Sequence, residues 1–542
     1  MSGECRVRWV ARRARSTGEV WQPAWPGCWR CDDFLLEKVG YVATICLLCS
    51  AKRFVFVLNS LIMGTKRFKK RWIVLFSVMA AISVAGLFAP VRSGLYDMVS
   101  DSVTANVAWM ITATIFVLMM TPGLSFFYGG MVRAKNVIST MLQSFIVMGV
   151  VSVIWVVFGF GLAFGDDICG IIGNPADFFM LNNVGVANAT LAEGARTADA
   201  VGGQIGLATT SIPLVLFALF QMKFAIITPS LITGSFAERV RFSGYLIFMI
   251  LWTVIVYCPL AHCTWHPEGL FAGMHVHDFA GGIVVHAASG IAALAGALFL
   301  GRRSSTANAK PANVPFVLLG AALLWLGWFG FNGGSSLAAD GIALAAFLNT
   351  NTAAATAMVT WVAFDALRGH KPSAMGAAIG AVVGLVAITP CAGWVTTGQT
   401  FFISFCITLC CNMAVTWKNA KHTFDDALDV FPTHGLGGIL GTVFTGIFAY
   451  DFFAASDPGI ISRSEFFINH LIALVLVFTY TFIMSYALYW LTNKMIPMRV
   501  SRHSEDIGLD RSQHDETYGT DEPLTEIAED APTEAEWFSS ME

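Results

Sequence analysis

A chain of 542 residues that is 56% hydrophobic and 13% charged, with a mean hydropathy of +0.64, is too apolar to fold as a water-soluble globule and reads as a polytopic membrane protein. Its formal net charge of -3 hides a segregation, because the first seventy residues are basic and the last forty strongly acidic. Nothing in either end points to a nucleic-acid partner.

Cys28-x-x-Cys31 and Cys46-x-x-Cys49 have the spacing of a zinc ribbon. The second pair lies in an apolar run without the polar loop of a zinc knuckle, so no metal is expected there. Residues from Met63 read as a cleavable signal sequence over 63–89. Lys66, Arg67, Lys69, Lys70 and Arg71 form the charged region, Ile73 to Val84 the apolar run, and Ser83-Val84-Ala85 a small-residue cleavage site. On that reading residues 1–62 are an upstream extension of doubtful status.

From Ala105 onward eleven apolar spans follow, at 105–128, 138–165, 206–231, 243–264, 279–300, 314–333, 338–363, 373–397, 399–417, 434–450 and 465–492. A crossing takes about 20 residues. Cytoplasmic loops hold the Lys and Arg, and positive charge follows every odd span: Arg133 and Lys135, Arg239 and Arg241, Arg302, Arg303 and Lys310, Arg368 and Lys371, Lys418 and Lys421, Lys494, Arg499 and Arg502. The loops after spans 4, 6 and 8 carry none, and the long loop after span 2 is acidic. The mature N-terminus is therefore expected outside and the C-terminus inside a plasma or inner membrane.

Span 1 ends in Phe127-Tyr128-Gly129-Gly130 and span 6 in Phe331-Asn332-Gly333-Gly334, while His286-x-x-x-Gly290-Ile291 of span 5 matches His434-x-x-x-Gly438-Ile439 of span 10. Two five-span units must lie inverted to one another, 105–300 against 314–450, with the pathway at their interface. Span 11 with its exit occupies 465–498, and 499–542 is an acidic cytoplasmic tail. The expected fold is thus an all-α integral membrane protein of eleven transmembrane helices in an inverted five-plus-five repeat.

A histidine inside a membrane span is costly and is either a hydrogen-bonded packing residue or a functional one. Two at matching repeat positions favour function. Burial disfavours the imidazolium, so both should be neutral and able to share a proton between ring nitrogens. No third ligand is placed at that depth, and metal binding is not expected. Asp278, at the start of span 5, reads equally as a side-chain cap for that helix.

Asp278-Phe279-Ala280-Gly281-Gly282 with His286, Phe220-Gln221-x-x-Phe224 leading to Ala237-Glu238-Arg239, Gly327-Trp328-Phe329-Gly330-Phe331-Asn332, and Asp429-Val430-Phe431 with His434-Gly435 resemble the ammonium transporter family (Amt/Mep/Rh), on its Amt branch. The resemblance covers Ala105 to Met498. It implies a channel-like homotrimeric ammonium transporter, not an enzyme and without a cofactor. His286 and His434 then correspond to paired pore histidines and Phe224 and Phe331 to the rings that close the outer end of the pore. Trp265, Phe220 and Ser335 correspond to an external recruitment site, with Asp278 supporting it from behind. An aromatic site attracts a cation through the ring quadrupole, by about 0.5 to 2 kcal/mol per contact. Ammonium would be recruited there, lose its proton near the rings and cross as ammonia, since a bare cation in an apolar pore costs several kcal/mol. An ammonium sensor of the same fold and an Rh-like gas channel are the alternatives. Gly508-Leu509-Asp510 with His514 resembles the family's regulatory tail segment, which can receive a PII signal protein.

Three departures stand out. His266-Pro267-Glu268 replaces the glycine-rich turn after Trp265, and Asp515 replaces the glycine after His514. Lys223 falls in mid-span beside Phe224, where it is expected about 100° round the helix from the pore, against a neighbouring span or subunit.

Overall fold

The computed structural model describes residues 104–182, 184–185, 212–304, 310–421, 424–456 and 459–519. The N-terminal extension with its cysteine pairs, the signal sequence and the acidic run after 519 lie outside the described residues. Ten helices among them are long and apolar enough to cross a bilayer: α1 Thr104–Met131, α2 Ala134–Phe164, α3 Leu214–Ile232, α4 Phe242–Gly273, α5 Gly282–Leu300, α6 Val314–Ser336, α7 Gly341–Leu367, α9 Thr397–Lys421, α10 Phe431–Ala455 and α11 Arg463–Met495. The eighth expected span is a shorter apolar helix, α8 Ala374–Ile388, continued by buried turns to Trp394. Helix is the only way for these apolar runs to pair every backbone N–H and C=O without water.

Helices of similar apolarity gain little by burying one another in lipid, so close backbone approach has to hold them. Glycines supply it between α1 and α6. A Cβ on Gly130 would fall 2.6 Å from the Asn313 carbonyl oxygen, and one on Gly330 2.6 Å from that of Ala113. Only bare backbones fit at this separation.

The loops that follow α1, α3, α5, α9 and α11 gather at one end of the bundle. There Glu238 bonds Arg133 at 2.8 Å and Arg303 at 3.0 Å, while Asp425 bonds Arg303 at 2.8 Å. Burial pushes the Asp425 carboxyl up, but the hydrogen bonds and charges of Arg303 and Arg239 outweigh it and hold the group at about 2. A carboxylate held below its ordinary value stabilises the fold above that ordinary range and loses the contribution as pH falls towards about 2. The network therefore stays intact throughout the physiological range. The same end carries the tail, which lies back on the bundle through α12, Arg502–Ile507, and the turn that follows. The Asp510 carboxylate accepts from the N–H groups of Ile138 and Ser139 at 3.0 and 2.7 Å, capping the start of α2. Asp515 has φ 60°, the left-handed conformation that glycine favours and that Asp tolerates better than most side chains. The chain keeps the turn although it departs from the expected glycine.

Candidate functional site

The site is built at the start of α5. Gly281, at φ 108°, turns the chain back over the Asp278 carboxylate, which accepts from the N–H groups of Gly281, Gly282, Ile283 and Val284 at 3.0, 2.6, 2.8 and 3.2 Å. One side chain thus satisfies the donors that a helix start leaves unpaired. The expected span began at residue 279, but the helix begins at Gly282, since residues 278–281 form the hook rather than the first turn. Asp278 also holds Trp265, whose indole N–H donates to the Asp278 carbonyl at 2.9 Å.

The start of α10 repeats this device. Asp426 lies eight residues before His434, as Asp278 does before His286, and its carboxylate accepts from the Phe431 N–H at 2.7 Å. Asp429, at φ 58°, lies five residues before His434, as Gly281 does before His286. The sequence had singled out Asp429 and missed Asp426. The equal eight-residue spacing was the signal that could have found it. Asp429 faces the Lys418 ammonium at 2.6 Å instead.

Both histidines sit in wide π-type turns, Gly282–Ala287 and Phe431–Gly435, a local unwinding that is frequent where function needs a side chain displaced. Just beyond, α5 and α10 touch backbone to backbone. A Cβ on Gly290 would overlap the Gly435 backbone, and one on Gly438 would lie 2.7 Å from the Ala287 nitrogen. That contact brings His286 Nδ1 to 3.4 Å from His434 Nδ1, with both rings buried. One nitrogen of this pair must donate and the other accept, so the two outer Nε2 atoms differ as well: one is a donor and one an acceptor. His286 Nε2 is buried with no hydrogen-bond partner among the described residues. An unsatisfied buried polar atom costs about 1–3 kcal/mol, which marks it as a place for a polar ligand.

Phe224 of α3 and Phe331 of α6 stack above the histidines, with ring centroids 4.2 Å apart and planes at 22°. Phe331 lies 5.9 Å from His286, and Trp328 stacks on the same imidazole at 5.2 Å. On the far side of the stack, Trp265 stands edge-on to Phe224 at 5.9 Å and Phe220 at 4.9 Å. Ser335 donates its hydroxyl hydrogen to the Phe331 carbonyl at 2.7 Å, leaving its oxygen lone pairs to accept. Ring contacts and hydrogen bonds thus link Trp265, Phe220, Phe224, Phe331, Ser335, His286 and His434 in one chain. Asp278 enters through Trp265 and the helix start.

Below Phe331 a narrow cavity runs past both histidines between Leu124, Ile227, Val285, Leu324 and Val382. A second one, lined by Phe127, Leu428, Thr433 and His434, continues towards the charged end. Trp328 and Phe127 had served only as motif markers in the sequence, yet both line this path. The walls of the first cavity are apolar apart from the two imidazoles and the indole N–H of Trp328, which is already committed to Thr389 at 2.9 Å.

Lys223 is half-buried on α3, and its ammonium lies 3.6 Å from the Met222 sulfur and away from these cavities. On the transport role that the resemblance implies, Lys223→Met should change methylammonium uptake by less than about twofold, because a charge outside the path neither binds nor repels the substrate. A strong rise in uptake would place the lysine in the pore instead. His266 is buried and turned towards His262, 4.3 Å between stacked rings, while Glu268 stays exposed.

Residues 108–518 match the model of the Ammonium Transporter Family. A putative ammonium transporter of Methanothermobacter thermautotrophicus is 41% identical over 76% of this chain and 98% of its own length. Among solved structures, Mep2 of Saccharomyces cerevisiae matches with a TM-score of 0.66 at 32% identity, over 78% of this chain and 93% of that one. A sensor Amt protein matches with a TM-score of 0.68 at 28% identity, over 76% and 98%.

Proposed function

This chain belongs to the ammonium transporter family, whose members are membrane transporters and not enzymes, and we propose that it moves ammonium by recruiting the cation, removing a proton and conducting ammonia. The carrying observation is an aromatic lid over an apolar cavity whose uncommitted polar lining atoms belong to His286 and His434. Such a cavity rejects ions, because it offers a cation little to replace its hydration shell. Ammonia is neutral and both donates and accepts, which suits a pair presenting one donor and one acceptor.

Trp265, Phe220 and Ser335 form the recruitment site on this reading, ring faces attracting the cation while the Ser335 oxygen accepts an N–H. Phe224 and Phe331 are the gate. Asp278 keeps negative potential behind the site and holds the Trp265 indole. The matched hooks at Asp278 and Asp426, the glycine contact and the paired histidines support an inverted repeat of 105–300 and 314–450. The Trp265 end faces outwards and the end that gathers the arginines lies in the cytoplasm, as the placement of positive charge requires. Three copies would assemble with one pore each, and the docked tail offers a face for a PII protein. The sensor alternative has no observation that favours it over transport.

Proteoliposomes test the mechanism. Ammonium applied to one side should alkalinise the lumen faster, or carry more charge, in vesicles that contain the protein than in empty ones, and equal rates in the two would overturn the reading. An ammonium-evoked current means that the removed proton also crosses; its absence means that ammonia crosses alone.

A further inference from the structure

Along the helical stretch that ends at Trp265, two histidines one helical turn apart pack against each other. His262 is fully buried, and its ring nitrogens meet two different partners: Nδ1 lies 3.0 Å from the Ala163 carbonyl oxygen and Nε2 2.9 Å from the Asp167 carboxylate. A carbonyl can only accept, so Nδ1 carries a hydrogen. An ionised carboxylate can also only accept. His262 and Asp167 must therefore hold one proton between them beyond a neutral imidazole and a carboxylate, whichever atom it rides on. The His266 ring stacks on His262 at 4.3 Å with planes at 13°, and its Nδ1 accepts the Glu268 N–H at 3.2 Å. That nitrogen bears no hydrogen, so His266 is neutral and two like charges do not stack.

We infer that the His262–Asp167 hydrogen bond, with His266 stacked on the imidazole, is a brace that positions Trp265 for the cation; this rests on the reading of Trp265 as the recruitment residue. His262 and Trp265 share the helical stretch Cys258–Trp265, which ends at the indole. Ala163 belongs to the end of α2, and Asp167 to the two-stranded hairpin that follows, Asp167–Ile168 with Ile172–Gly173. The hairpin loop also accepts the Leu270 N–H through the Gly170 carbonyl at 2.8 Å. One imidazole thus ties the stretch that carries Trp265 to a second helix and to a hairpin, while the Asp278 carbonyl fixes the indole from its other end. A fixed indole meets the cation without first losing rotamer freedom, so loosening it weakens binding rather than passage. His262 and Asp167 are positioning residues, since neither touches the path.

Concentration-dependent uptake of labelled methylammonium, normalised to the protein present in the membrane, tests the brace. His262→Leu and Asp167→Ala should raise KM about tenfold with the maximal rate within about twofold, the signature of lost binding. Asp167→Asn should fall between wild type and Asp167→Ala. Its amide can donate to a neutral His262 Nε2 while Nδ1–H still serves Ala163, but the Gly170 N–H, which bonds the same Asp167 oxygen at 2.7 Å, then loses its acceptor. Unchanged KM, or a loss of maximal rate alone, overturns the inference, and so does an Asp167→Asn chain as impaired as Asp167→Ala. If His262→Leu fails to reach the membrane, Asp167→Ala, altered at a partly exposed site, decides the matter alone. Trp265→Leu is measured in parallel. If it leaves KM unchanged, the recruitment reading fails and the brace with it; if it raises KM while the brace variants do not, the brace alone fails.

Discussion

His286→Ala should abolish growth of a transporter-deficient strain on low ammonium and cut methylammonium uptake by about a hundredfold or more, a transition-state loss near 3 kcal/mol. The substitution removes a buried Nε2 that lines the cavity and has no partner among the described residues, and leaves His434 Nδ1, 3.4 Å away, facing an apolar void. Ammonia leaving the Phe331 ring would then meet nothing that replaces its lost water. The chain should still reach the membrane, since the glycine contact at Gly290 and the hook at Asp278 remain in place. Amount in the membrane and uptake together check the prediction. Full uptake by the alanine variant would remove the histidines from the mechanism, and retained uptake with lost signalling would turn attention to sensing.

Asp278→Ala should be the most destabilising single change at the site. Four backbone donors lose their acceptor at once, inside a bundle where water cannot replace it. At about 1–3 kcal/mol for each buried donor left unpaired, even partial relaxation leaves a penalty above about 4 kcal/mol. We expect little protein in the membrane fraction and, in detergent, a lower unfolding temperature than for any of the gate substitutions. Asp278→Asn keeps one carbonyl oxygen where the carboxylate offered two, so it should fall between the two. Wild-type amount and melting temperature in the alanine variant would refute the hook as the foundation of α5.

Much of this architecture could be read before any coordinates. Span count followed from runs of apolar residues and the side of each loop from where Lys and Arg fall, because both reflect a local transfer cost. The residues of the histidine pair and of the stacked Phe224 and Phe331 rings were legible through motif context. What escaped were residues whose role is to hold others. Neither Asp426 nor His262 stands in a motif, and the atoms each one bonds, the Phe431 N–H and the Ala163 and Asp167 oxygens, are known only from the fold. Lys223 illustrates the opposite case: helical periodicity alone separates it from Phe220 and Phe224, which lie on the gate face.

The chain by itself determined that it crosses a membrane many times, which loops share a side, and that two histidines recur at matched positions. These depend on the free energy of moving each residue between water and lipid, which every residue carries with it. Tertiary structure decided that the two imidazoles meet, that Asp278 spends its carboxylate on four N–H groups, and that the His262 ring lies between Ala163 and Asp167. Those depend on distances between residues far apart in the chain, and such distances exist only once Gly290 and Gly435 let α5 and α10 touch.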